Sequence, residues 1–69
     1  MFNIIGKSIK LKRLEKGWSQ ETLAKHIGVT HAAISFWENG VNIPNVQDCW
    51  KIADALNITI DELVGRTIL

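Results

Sequence analysis

Three residues, Gly28-Val29-Thr30, separate two amphipathic helix patterns, and this short joint constrains the fold more than any other feature of the chain. Ser19 is placed to cap the first pattern, whose Leu23, Ala24 and Ile27 fall on one helical face. Gly28 stops it, because glycine enters the left-handed backbone of a helix end without a Cβ penalty. Thr30 then offers a hydroxyl to cap a second pattern, His31 to Asn39, and Gly40 stops that one. Two helices are thus joined by three residues, with glycine at the position that can take φ > 0.

The same punctuation recurs on both sides. Asn3 can cap a helix reaching about Lys16, with Gly17 as its stop. Pro44 disfavours helix just before it, and Asn45 can cap a helix to about Leu56 with Val46, Cys49, Ile52, Ala53 and Leu56 on one side. Thr59-Ile60-Asp61-Glu62 has the capping-box pattern and opens a last helix carrying Ile60, Leu63 and Val64. No stretch alternates apolar and polar residues between turn signals, so the expected fold is all-α, five short helices in one domain over residues 1–69.

Size and composition narrow the function classes. A chain of 69 residues buries only about 60% of its unfolded surface, which argues against a large enzyme cleft. Cys49 is the single cysteine, so no internal disulfide forms. His26 and His31 are the only histidines, so a four-ligand zinc site would need carboxylates. No enzyme, metal site or cofactor is expected. No apolar run approaches the roughly 18 residues of a membrane span, and Met1-Phe2-Asn3 does not open a signal peptide, so a cytoplasmic location is expected.

The net charge of +1 conceals a polarity. Residues 1–25 hold six basic and two acidic side chains, and the remainder two basic and five acidic, or +4 against −3. This separation is compatible with a basic face for a polyanion, although taken alone an ordinary solvated helix surface is the simpler explanation. On a helical wheel of 100° per residue, Ala33, Ile34 and Trp37 of the third helix share an inward face, leaving His31, Ala32, Ser35, Phe36 and Asn39 outward. A face with no acid before Glu38 can enter a major groove without repelling phosphate.

The order and spacing of Ser19-Gln20-Glu21-Thr22-Leu23-Ala24, Gly28-Val29-Thr30, Ile34-Ser35-Phe36-Trp37-Glu38-Asn39-Gly40, Pro44, Lys51-Ile52-Ala53-Asp54-Ala55-Leu56 and Asp61-Glu62-Leu63 resemble the λ-repressor and Cro-like helix-turn-helix family. The resemblance runs from about Ile5 to Val64. It implies a DNA-binding transcriptional regulator, either a small complete protein or the N-terminal domain of a longer repressor. Such a protein acts as a homodimer on a palindromic operator, with the third helix in the major groove of double-stranded DNA.

Carried over position by position, the resemblance implies base reading by His31, Ala32, Ser35 and Phe36, and backbone contacts by Gln20, Thr30 and Asn39. Gln20 would also brace the third helix, and Arg13 and Glu38 would form an ion pair tying the first helix to the third. The reading face lacks the Gln, Asn or Arg of bidentate base contacts. Ala32 and Phe36 are therefore expected to meet thymine methyls, His31 and Ser35 to make single hydrogen bonds, and specificity to lean on DNA shape.

A second copy is expected to dock through Ile58, Ile60, Ile68 and Leu69, apolar groups that so small a monomer can hardly bury. Ile4, Leu11 and Leu14 are the alternative surface, disfavoured because nearby lysines would repel across a two-fold axis. Two other functions stay open at this point: an antitoxin with a toxin partner, and a helical protein-interaction module that does not bind DNA. Affinity that falls steeply with salt separates DNA binding from the latter.

Overall fold

The computed structural model describes residues 3–65. Five helices follow in order: α1 (Ile4–Glu15), α2 (Gln20–Ile27), α3 (His31–Glu38), α4 (Val46–Leu56) and α5 (Ile60–Val64). The architecture is all-α, as the punctuation predicts. Each start is fixed by a side chain that accepts from an orphan backbone N–H: Asn3 from Gly6, Ser19 from Thr22, Thr30 from Ala33, Asn45 from Asp48 and Thr59 from Glu62. At α5 the box is complete, since Thr59 N–H donates to Glu62 Oε1 at 3.2 Å. α1 and α3 each stop one residue short of the expected Lys16 and Asn39, which instead serve as their C-caps. Asn57 closes α4 with φ of 58°, a left-handed conformation that asparagine tolerates better than most residues.

The core takes one fully buried branched aliphatic side chain from every helix: Ile9, Leu23, Ile34, Ile52 and Leu63. Ala24, Ile27, Trp37, Cys49, Ala53 and Leu56 complete it, with Trp18, Val29 and Ile58 packed against its margin. Since each helix contributes a central residue, none can be withdrawn without opening the core, and truncating any of the five to alanine should cost about 2–5 kcal/mol. One sequence expectation fails here. Val46 does not join the inner side of α4 but is 82% exposed. It is the first residue of its helix, where a side chain leaning toward the N-terminus projects past the edge of the core.

α1 lies unusually close to the end of α3, and Gly6 permits it. A Cβ at this position would collide with the Trp37 carbonyl oxygen and with Asn3 Oδ1. Asn3 exploits the approach with both ends of its amide. Its Oδ1 accepts from Gly6 N–H at 3.2 Å, while its Nδ2 donates to the Glu38 carbonyl at 2.8 Å. One side chain thus caps the start of α1 and the end of α3, holding α3 from behind while its other face stays outward.

Candidate nucleic-acid interface

The joint forms as its residues dictate. Gly28 takes φ of 74° and its N–H returns to the Ala24 carbonyl, Val29 packs against the core, and the Thr30 hydroxyl caps α3. Thr30 itself is exposed. α3 then buries Ile34 and Trp37 and turns His31, Ala32 and Phe36 to solvent, with Phe36 45% exposed and Ser35 half-buried. The outward residues share one face of the helix.

Glu38 is the sole acid of α3, and it points inward. Arg13 Nε donates to its Oε2 at 2.7 Å and Arg13 Nη2 to its Oε1 at 3.0 Å, a forked pair with both side chains almost wholly buried. The third guanidinium nitrogen, Nη1, donates to the Trp18 carbonyl at 2.8 Å, so Arg13 also holds the α1–α2 corner. Hydrogen bonding to Glu38, and its charge, raise the Arg13 pKa still further despite the opposing effect of burial. The Trp18 ring stacks on His26 with centroids 4.2 Å apart, and Lys16 Nζ sits 4.8 Å from its centre. Among the described residues no buried side-chain nitrogen or oxygen lacks a partner.

The network continues outward through Gln20, the first residue of α2. Its Nε2 donates to Glu38 Oε1 at 3.0 Å, and its Oε1 lies 2.7 Å from His31 Nε2. A single side chain therefore links the first and last residues of α3, two turns apart on the same side. Farther along, Asn39 Nδ2 donates to Ser35 Oγ at 3.3 Å, which leaves the Ser35 hydroxyl hydrogen free to be given elsewhere. The resemblance implies Gln20 as a brace of α3 without naming its partners, whereas the Asn39–Ser35 bond is not foreseen from the sequence. The i, i+4 spacing of Ser35 and Asn39 is the signal that could have found that bond.

The residues assigned to the docking of a second copy are divided. Ile58 packs against the core, Ile60 is 42% exposed, and Ile68 and Leu69 lie outside the described residues. Ile4, Leu11 and Leu14 are exposed on α1. The most exposed large apolar side chains were not anticipated: Val41, Ile43, Val46 and Trp50, within ten residues of one another in the chain and all 63% exposed or more.

The family model described as helix-turn-helix matches residues 9–63. The chain belongs to the λ-repressor and Cro-like helix-turn-helix family. This is a family of DNA-binding regulators and not of enzymes. In structure the chain is similar to the P22 c2 repressor, solved in complex with a synthetic operator, with a TM-score of 0.87, 30% identity and coverage of 93% of this chain and 97% of that one. In sequence it is 42% identical over 48 residues to the cryptic phage CTXphi transcriptional repressor RstR of Vibrio cholerae, covering 70% of this chain and 43% of that protein. It is 34% identical over 56 residues to the antitoxin HipB of Escherichia coli strain K12, covering 81% of this chain and 64% of HipB. The chain thus spans less than two thirds of the length of these two relatives. No helix among the described residues is long and apolar enough to cross a membrane.

Proposed function

We propose that the protein is a sequence-specific transcriptional repressor of phage or bacterial type, acting in the cytoplasm as a homodimer on a palindromic operator. The observation that carries this reading is the inward turn of Glu38. With its only acid neutralised by Arg13, α3 offers the DNA a face of His31, Ala32, Ser35 and Phe36 that repels no phosphate. Thr30, Asn39 and Gln20 flank that face and supply backbone contacts. Gln20 does so as a brace whose amide is already engaged with Glu38 and His31.

One eight-residue helix reads too few base pairs for tight selection, so a second copy supplies the other half-site, about one helical turn away. Ile60, Ile68 and Leu69 stay assigned to the two-fold contact, and the exposed Val46 and Trp50 are added to it as a further apolar surface. The segment 41–50 carries one charge, the half-buried Asp48, so a symmetric contact there meets little repulsion. Leu11 and Leu14, by contrast, stand in a segment with Lys10, Lys12 and Lys16 against the single acid Glu15.

Selection from a random DNA pool tests the proposal directly. A palindrome should be enriched, its affinity should fall steeply with salt, and Phe36→Ala should cost about 1–3 kcal/mol on that site by relaxing one thymine position. Salt-insensitive binding, or no enrichment, overturns it. The similarity to HipB supports a second reading, an antitoxin that also binds a toxin chain. Growth rescue of a host expressing a toxin encoded beside the gene distinguishes that case.

A further inference from the structure

The hydrogen bonds between the buried ion pair and the outward face have a fixed direction. A carboxylate only accepts, and Glu38 receives Arg13 on both oxygens and Gln20 Nε2 on Oε1. Turning the Gln20 amide over would set its carbonyl oxygen against a carboxylate oxygen, two acceptors in contact, so Glu38 decides which way Gln20 lies. The Gln20 Oε1 therefore faces His31 Nε2, 2.7 Å away, and because that oxygen also only accepts, His31 Nε2 must carry the hydrogen. A neutral imidazole has one N–H, which leaves Nδ1 as a bare lone pair at the exposed start of α3.

We propose that this relay makes His31 a specificity-determining acceptor, selecting a base whose major-groove edge offers an amino hydrogen. The inference rests on the reading of α3 as the base-reading helix. Cytosine N4 and adenine N6 meet the requirement; guanine shows two acceptors there and thymine an acceptor and a methyl group. Gln20 and Glu38 are positioning residues that act through His31. Binding to DNA draws on a hydrogen-bond polarity already set in the protein interior.

The test uses the full chain and its selected operator at about pH 8, where imidazoles are neutral. The base facing His31 is the one at which His31→Ala loses discrimination. It should be cytosine or adenine, and replacing it with 2-pyrimidinone or purine respectively, which lack the amino group, should weaken parent binding about tenfold. Which of the two analogues acts identifies the base. In Gln20→Leu the natural and amino-less operators should bind within about twofold of each other. A parent preference for guanine or thymine, no loss on removing the amino group, or a loss just as large in Gln20→Leu overturns the proposal.

Nitrogen-15 NMR of the His31 ring in the free chain should show Nε2–H and a bare Nδ1. A ring protonated on Nδ1 instead, in a chain with a firm operator, overturns the relay and leaves the DNA reading standing. Failure to enrich any operator while Nε2–H is present overturns the DNA reading and the base selection that depends on it.

Discussion

The two sides of this small domain are finished differently. On the α2–α3 side, polar groups are satisfied from the inside out: Arg13 holds Glu38, Glu38 holds Gln20, Gln20 holds His31, and Asn3 closes the back of α3. Along residues 41–50, Val41, Ile43, Val46 and Trp50 lie open with scarcely a charge among them. The first surface has its hydrogen bonds made before it meets a partner, which suits hydrogen-bonded recognition, where misplacement is costly. The second offers apolar area without direction, which suits contact with another apolar surface. Substitutions on the two sides should separate accordingly: stability should fall on the first, and assembly on the second.

The largest effect is expected at Glu38. Glu38→Gln removes the charge that compensates a buried guanidinium and breaks the fork, so unfolding free energy should fall by about 3–5 kcal/mol in a urea titration. The dependence on pH has a definite sign as well. Arg13 stays charged at every ordinary pH, with its pKa raised by Glu38. Because its folded pKa is raised, stability from the pair is present throughout ordinary pH and should be lost only when strongly alkaline pH removes the guanidinium charge. Parent-like stability in Glu38→Gln would erase the contrast between the two sides.

Next comes the close approach of α1 to α3. Gly6→Ala sets a methyl group against the Trp37 carbonyl and against the Asn3 amide that caps both helices. A loss of about 1–3 kcal/mol is expected, read by thermal melting. Asn3→Ala leaves the space but removes two hydrogen bonds and should cost about 1–2 kcal/mol. Equal melting temperatures for Gly6→Ala and the parent would show that the helices can part at little cost, and hence that α3 is not held from behind.

Helix punctuation was legible because caps and stops are local. Ser19, Thr30, Asn45 and Thr59 accept hydrogen bonds from N–H groups three residues ahead, a distance that sequence spacing preserves. The inward stripe of α3 was equally legible from its period. What escaped depends on which elements meet. Gln20 lies 18 residues from Glu38 and Asn3 lies 35 from it, and no periodicity reports such pairings. The Arg13–Glu38 contact came from resemblance and not from spacing. Val46 was misplaced because a wheel assigns direction around a helix but not how far along it the core extends.

The smallest effect on the fold, and the sharpest on assembly, is expected at Trp50. It shares an outward stripe of α4 with Val46, four residues earlier, and at 63% exposure it gives the folded monomer little to lose. Trp50→Glu should therefore leave unfolding free energy within about 0.5 kcal/mol of the parent, as substitutions at open surface positions do. If that stripe is the two-fold contact, the same change sets two carboxylates against each other across the axis. Sedimentation equilibrium should then find monomer at concentrations where the parent is dimeric, and binding to a palindrome should weaken while binding to an isolated half-site stays the same. A Trp50→Glu chain that dimerises and binds the palindrome as the parent does would remove the stripe from the interface. Truncation of residues 66–69 would then test Ile68 and Leu69 directly, and substitution of Leu11 and Leu14 would test α1. An assembly defect without a stability defect is what an exposed apolar surface that pairs with its own copy should show.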